Sequence, residues 1–410
     1  MTRDGSALYA PRMSIDPVGS VAVVGAGLGG LRLVEELRRC GHTGPIALVG
    51  EESAHPYDRP PLSKAVLQDG GPAPLLRPVE DYAELEVDLR LGRRATALDA
   101  ATRSLTLDDG CVLAGDAVVL APGATPRRLP GPSLPGLHVL RTQDDATALR
   151  QDVVREGRLA VVGGGFLGCE VAASARRLGA EVDLVELLAG PLVRVLGPVM
   201  AERVAALHRE RGVRLHVGVG VDQVLGEDRV EGLHLSDGRV LPARTVLVGL
   251  GVVPSTQWLA TSGLALEPDG GVRCDRFGRT SAPGVWALGD AAAWQDAGGT
   301  HRRVEHWSSA VEQAAVVAQN LVPADGLVPH SRVSYVWSDQ YDSTLQCVGE
   351  VAPGTEAEVF PVGPGLAALH ADGDRLLGVA LLDARRQAGR ARKLLAAGSD
   401  LTQARAALLR

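Results

Sequence analysis

A chain of 410 residues is too long for one ordinary hydrophobic core and implies two or three domains. Hydrophobic residues make up 45% and charged residues 22%, and the 50 Gly and 25 Pro follow no fixed period, which excludes a fibrous repeat. A net charge of −7, from 42 Lys+Arg against 49 Asp+Glu, argues against general nucleic-acid binding.

The five cysteines (Cys40, Cys111, Cys169, Cys274, Cys347) are far apart and form no CxxC pair, so the sequence points to no disulfide framework and no metal site. No apolar stretch reaches the roughly 20 residues needed to cross a bilayer, so no membrane partner and a cytoplasmic location are expected.

Residues 1–18 carry Arg3, Asp4, Arg12 and Asp16 with two prolines and no apolar run, which predicts a flexible tail rather than a signal peptide. Val21-Ala22-Val23-Val24 has the unbroken apolar character of a parallel strand buried on both faces. Gly25-Ala26-Gly27-Leu28-Gly29-Gly30 follows, then a segment from Leu31 to Cys40 with helical spacing, then a strand at Ile46-Ala47-Leu48-Val49. In such a unit Gly25 permits a tight turn, Gly27 lets the backbone approach a pyrophosphate, and Gly30 lets the helix lie close to the sheet. The helix N-terminus then offers free N–H groups to that anion. Glu51, just beyond the second strand, is better placed than Glu52 to accept ribose hydroxyls.

The same order recurs about 140 residues later. Leu159-Ala160-Val161-Val162 is the strand, Gly163, Gly165 and Gly168 take the three glycine roles, and a helix is predicted from about Phe166 to Leu178. Val182-Asp183-Leu184-Val185 then leads to Glu186. A carboxylate there accepts from a free ribose and repels a 2′-phosphate, and Leu187 and Leu188 supply no arginine, so NADH is expected over NADPH. Two such units imply two dinucleotides, one giving and one accepting a hydride. Asp109-Gly110 and Asp237-Gly238 predict turns between short strands, a small antiparallel appendage on each unit.

Together with Thr280-Ser281-Ala282-Pro283-Gly284-Val285-Trp286-Ala287-Leu288-Gly289-Asp290, these fingerprints resemble the pyridine nucleotide–disulfide oxidoreductase superfamily. Asp290 matches the aspartate that there contacts the ribityl and phosphate part of FAD. Five further stretches resemble, more narrowly, the NADH-dependent ferredoxin reductases of oxygenase systems (putidaredoxin reductase and biphenyl-type dioxygenase reductase components). They are Pro56-Tyr57-Asp58-Arg59-Pro60-Pro61-Leu62-Ser63-Lys64, Leu140-Arg141-Thr142, Val304-Glu305-His306-Trp307, Glu312-Gln313 and Trp337-Ser338-Asp339-Gln340-Tyr341-Asp342. The likeness runs from about residue 20 to 385.

It implies FAD at the first site and NADH at the second, with hydride passing from NADH to the flavin. Single electrons would then pass to a [2Fe–2S] ferredoxin that serves a cytochrome P450 or a Rieske-type ring-hydroxylating oxygenase. The same architecture leaves open an NADH oxidase, a rubredoxin- or nitrite-type reductase, or an apoptosis-inducing-factor-like interaction protein. Residues 52–80 lack the cysteine pair that the superfamily's disulfide reductases carry there, so electrons are expected to leave directly from the flavin.

Lys64 and Lys393 are the only lysines among the 42 basic residues, and a compact cation on a flexible stem suits a tight site better than a guanidinium. By resemblance Lys64 contacts the flavin near its reactive edge and pairs with an acid at the NADH fingerprint, matched here by Glu170. These two form the expected catalytic pair. Arg141 matches an arginine near the FAD phosphates or ribityl chain, and Trp307 a position beside the flavin ring. His306 is left out of the catalytic set because the flavin N5 receives the hydride directly. Ala121-Pro122-Gly123 departs from the family, which usually has threonine before that glycine. Proline removes both the hydroxyl and an N–H.

The expected fold is α/β, with two Rossmann-like dinucleotide-binding domains and a smaller α+β C-terminal domain. Residues 19–145 and 263–325 would form a discontinuous FAD-binding domain, 146–262 the NAD-binding domain, and 326–410 the C-terminal domain. In the last, strands are predicted at Tyr335–Trp337, Leu345–Val348, Ala357–Phe360 and Leu376–Leu382, followed by a helix through Arg390–Leu395. Arg385, Arg386, Arg390, Arg392 and Lys393 form a basic cluster on which an acidic ferredoxin could dock, with His301-Arg302-Arg303 as a second basic stretch.

Overall fold

The computed structural model describes residues 18–410 apart from 297, 324, 325, 332 and 353; of the expected tail, residues 1–17 lie outside the described residues. The apolar runs become central strands of parallel sheets. In the first sheet the order is Val285–Ala287, Ala117–Leu120, Val21–Val24, Ile46–Gly50, Val87–Leu91, every neighbouring pair parallel. In the second it is Val213–Val217, Glu181–Glu186, Arg158–Val162, Val246–Val248, Leu137–His138, again parallel throughout.

Each sheet carries a three-stranded antiparallel meander at the corresponding point of the chain. In the first unit it is Ala95–Asp99, Ser104–Leu107 and Val112–Ala114; in the second, Val221–Leu225, Gly232–Leu235 and Val240–Pro242. The repeat therefore extends from the glycine turns to whole units. Gly110 and Gly238 turn the last hairpin of each meander with φ of 81° and 85°, a region open to glycine at no steric cost.

The chain's two crossings between units lie side by side, Ala124–Pro126 pairing antiparallel with Val252–Pro254. Leu137–His138 already belongs to the second sheet, so the chain enters that unit before the expected boundary at residue 145. It later returns to the first sheet at Val285–Ala287, and helix Trp307–Leu321 packs along helix Leu28–Arg39.

The C-terminal unit is a five-stranded antiparallel sheet in the order Tyr335–Gln340, Ser343–Gly349, Arg375–Leu382, Gly365–Asp372, Glu356–Val362, followed by helices Ala388–Ala396 and Leu401–Leu408. Strand Gly365–Asp372 and helix Leu401–Leu408 add to the sequence expectation. The segment Leu366-Ala367-Ala368-Leu369 has no β-branched residue. Its strand form comes from pairing on both sides and from complete burial of Ala367, Ala368 and Leu369. The last helix begins at a capping box in which Asp400 accepts the N–H of Gln403.

One apolar cluster joins all three units. Leu62, Val66 and Leu67 from the first pack with Ala172 and Ala175 of the second and with Leu345 and Ala380 of the third. Burial of each leucine or valine contributes about 1.5–3 kcal/mol, so the junction is a core rather than a loose seam. No helix among the described residues is long and apolar enough to cross a membrane.

Candidate active site

A cleft of about 1260 Å³ opens at this junction, larger than the roughly 300–1,000 Å³ of an ordinary small-molecule site. Both glycine turns face it, and in both the roles divide in the same way. A Cβ on Gly25 (φ 107°) would sit 2.0 Å from the Ala121 carbonyl oxygen, and one on Gly30 2.0 Å from that of Gly25. In the second turn Gly163 (φ 106°) and Gly168 would meet the Gly249 and Gly163 carbonyl oxygens at 2.4 and 1.9 Å. Around Gly27 and Gly165, by contrast, nothing lies within 4 Å, and both line the cleft. Helices Leu28–Arg39 and Phe166–Arg177 start there with no side-chain cap and no acid in the first turn. Their open N–H groups and the open middle glycines make two anion cradles, which fit the pyrophosphates of two dinucleotides.

The two acids at the ends of the second strands are held differently. Glu51 is 72% exposed, with Arg94 3.8 Å away, and lines the cleft. Neighbouring Glu52 is already engaged, by the Tyr57 hydroxyl and by Arg59 at 2.7 Å. That leaves Glu51 the more loosely held carboxylate of the two. Glu186 is fixed by backbone donors, from Gly164 N–H at 2.6 Å and Leu188 N–H at 2.8 Å. Glu186 does not line the cleft, and neither do Gly30, Gly163 and Gly168.

Segment Pro56–Lys64 is clamped from several sides. Tyr57 accepts the Gln143 N–H at 3.0 Å, burial pushes its hydroxyl up to about 12, and Arg59 donates to the Arg141 carbonyl. Arg141 in turn pairs with Asp290 at 3.1 Å, across 149 residues of sequence. Asp290 stands in the short 3-10 turn Gly289–Ala291, anchored by Gly289 N–H donating to Gln313 at 2.7 Å. Trp307 opens helix Trp307–Leu321 and donates its indole N–H to Asp58 at 2.9 Å, with its ring edge-on to Trp337 at 6.2 Å. All three residues (Arg141, Asp290, Trp307) line the cleft. So does His306, whose imidazole burial pushes below its usual value and so favours the neutral form.

On the cleft wall Lys64 Nζ lies 2.7 Å from Glu170 Oε2, the two side chains 21% and 9% exposed. Pro60 and Pro61 start a 3-10 turn ending at Ser63, and the next short helix is stapled to helix Phe166–Arg177 through Gln68 and Ser174 (2.8 Å). Glu170 accepts two further donors, Ser63 at 2.5 Å and Ser338 of the C-terminal unit at 2.8 Å. These two serines are the site residues that sequence reasoning gives no role. Ser63 adjoins Lys64, and Ser338 lies within a stretch that carries the family likeness.

Pro122 also lines the cleft. The turn's hydrogen bonds run through its neighbours, Ala121 N–H to Val24 and Ser255 N–H to the Gly123 carbonyl, so none of these depends on the N–H that proline lacks. All five cysteines are free, and Cys169, Cys274 and Cys347 are buried. Burial pushes these three thiols up, away from the reactive thiolate. Among the described residues no group of His, Cys, Asp and Glu could hold a metal ion.

Paired cradles on two parallel-sheet units, facing one cleft, define a protein that brings two dinucleotides together. The chain belongs to the pyridine nucleotide-disulphide oxidoreductase family, whose pattern matches residues 19–314, and residues 335–408 match the reductase C-terminal family. The pyridine nucleotide-disulphide oxidoreductase family consists typically of FAD flavoproteins that use NAD(H). The chain is 39% identical over 394 residues to the chlorobenzene dioxygenase ferredoxin reductase component of Cupriavidus sp. (strain PS12), covering 94% of this chain and 95% of the relative. Among solved structures, the ferredoxin reductase for the CYP199A2 system from Rhodopseudomonas palustris superposes with a TM-score of 0.88 at 34% identity, covering 93% of this chain and 95% of the other. The covalent putidaredoxin reductase–putidaredoxin complex gives 0.86 at 30% identity and 93% coverage of each chain.

Proposed function

We propose that this chain is an FAD-dependent NADH:ferredoxin reductase, the component that feeds electrons to a [2Fe–2S] ferredoxin of a cytochrome P450 or ring-hydroxylating oxygenase. The observation that carries the reading is the Lys64–Glu170 pair, which lines the same cleft as both glycine turns, a cleft with no cysteine on its walls among the described residues. When bound, FAD supplies the ability to take two electrons together as hydride and release them singly. The protein's part is to place and to stabilise. Gly25, Gly27 and Gly30 with the first helix N-terminus would hold the FAD pyrophosphate, Glu51 a ribose, and Arg141 with Asp290 the ribityl and phosphate part. Gly163, Gly165, Gly168 and Glu186 would hold NADH. Lys64 and Glu170 would fix the facing rings in near-attack geometry and offset the charge that develops as hydride moves. Trp307, edge-on to Trp337, would pack beside the flavin ring.

Steady-state NADH oxidation with a [2Fe–2S] ferredoxin, compared with oxygen, tests the reading. Carrier reduction is expected to be much faster; oxygen turnover that matched it would favour an NADH oxidase instead.

Two further results are expected. Purified protein carries one FAD per chain, and Gly25→Ala loses most of it, because the new Cβ would overlap the Ala121 carbonyl at a backbone φ that alanine resists. Full flavin content in that variant would remove the first turn from the FAD site. Second, kcat/KM for NADH exceeds that for NADPH by about two orders of magnitude, because the Glu186 carboxylate, held by two backbone donors at the end of the second strand, would accept from a free ribose and repel a 2′-phosphate. Equal efficiency with NADPH would overturn that role for Glu186.

A further inference from the structure

Strand Tyr335–Gln340 sends alternate side chains to opposite faces. One face carries Tyr335 beneath Arg392 at 4.9 Å, Trp337 beside Trp307, and Asp339 paired with Arg385 at 3.2 Å. The other face carries Ser338 and Gln340, 0% and 3% exposed.

These two begin a continuous polar chain behind Glu170. Ser338 Oγ donates to Glu170 Oε1 at 2.8 Å, and Gln340 Nε2 donates to Ser338 Oγ at 3.2 Å. The Gln340 amide oxygen faces His208 Nε2 at 3.1 Å, and His208 Nδ1 faces the Tyr341 hydroxyl at 3.0 Å. His208 is fully buried, and burial pushes its imidazole down to about 4, so the neutral ring has one donor and one acceptor. Because the Gln340 oxygen takes the Nε2 proton, Nδ1 must accept from Tyr341. Every donor in the chain therefore points toward Glu170, and bonds aligned in this way strengthen one another.

We propose that Ser338, backed by Gln340 and His208, is a positioning residue through which the C-terminal domain holds the Glu170 carboxylate in register with Lys64. The proposal rests on the reading of Lys64 and Glu170 as the hydride-side pair. Lys64 and Ser63 both act on Oε2 of the carboxylate, whereas Ser338 is the donor on Oε1. Without the Ser338 hydroxyl the carboxylate keeps its charge but loses its second point of fixation, and the ammonium follows it.

The test is a double-mutant cycle between Ser338→Ala and Glu170→Ala in the FAD-loaded enzyme, read by rapid-reaction reduction with NADH and by calorimetric titration with NAD+. Ser338→Ala alone is expected to slow reduction on the order of tenfold, the effect of losing one charge-assisted hydrogen bond that matters most in the transition state. Its FAD content and NAD+ affinity stay within about twofold of wild type, because the bond does not contribute to ground-state binding. In the Glu170→Ala background Ser338→Ala is expected to have no further effect. A merely structural serine would slow reduction equally in both backgrounds, and that result overturns the proposal. So does wild-type reduction by Ser338→Ala when Glu170→Ala is slow. If Glu170→Ala itself reduces at the wild-type rate, the assignment of the pair fails, and the positioning role falls with it.

Discussion

Replacing Lys64 by methionine, or Glu170 by alanine, lowers the rate of flavin reduction by NADH about 10²-fold while FAD remains bound and NADH affinity changes little. The two groups lie 2.7 Å apart where three units meet, and they are largely withdrawn from water. In Lys64→Met the carboxylate keeps, among the described residues, the Ser63 and Ser338 hydroxyls, and in Glu170→Ala the ammonium keeps the Pro60 carbonyl and Ser63. Stranding a fully buried charge costs about 3–5 kcal/mol; the one-fifth exposure of Lys64 reduces that figure here, so a loss of stability accompanies the loss of rate. The double variant Lys64→Met/Glu170→Gln strands no charge. It is therefore expected to melt above either single variant, yet to be reduced no more slowly than the slower of them, because one change already removes the pair. Stopped-flow traces decide the matter. Unchanged reduction in both single variants would take Lys64 and Glu170 out of the hydride step.

How far the sequence reveals this site depends on the distance over which each interaction acts. The glycine turns are legible because strand, turn and helix are consecutive and each glycine answers a local steric demand, as the overlaps at Gly25, Gly30, Gly163 and Gly168 show. Lys64 stands out by composition, and Glu170 and Asp290 by resemblance. The groups that hold them leave no such trace. Ser63 and Ser338 reach Glu170 from 107 and 168 residues away, and a serine has no pattern of its own. Strand Gly365–Asp372 is formed by its neighbours against its alanine-rich composition. The early crossing at Leu137–His138 is a two-residue pairing that no periodicity can announce. Ion pairing is equally hidden. Arg302 is balanced by Asp296 and Glu350, and Arg303 by Asp269 and Glu305, so the stretch His301-Arg302-Arg303 is less basic in the fold than in the sequence.

The same accounting sharpens the expected result at the partner surface. Of the five C-terminal cations, Arg385 is tied to Asp339 and Thr344, and Arg392 lies over Tyr335 within 3.7 Å of Glu312. Arg386, Arg390 and Lys393 are exposed and carry no ion pair among the described residues, so they are the charges free to meet an acidic carrier. They stand close to the cleft by a short relay. Arg392 on the same helical segment covers Tyr335, Tyr335 stacks on Trp337 at 6.0 Å, and Trp337 lines the cleft. Reversing Arg386, Arg390 and Lys393 to glutamate is expected to lower kcat/KM for an acidic [2Fe–2S] ferredoxin about 10²-fold at low ionic strength, chiefly through the encounter rate. Arg385 is left in place because a glutamate there would face Asp339 and disturb the strand itself. The deficit should shrink as salt rises, since the screening length falls from about 10 Å at 0.1 M to about 3 Å at 1 M. NADH turnover with a small uncharged acceptor should match wild type at every salt concentration, because none of the three side chains lines the cleft. Carrier turnover with wild-type magnitude and wild-type salt dependence would place docking elsewhere. A deficit that persisted undiminished at 1 M would mean that the reversals had damaged the domain rather than its field.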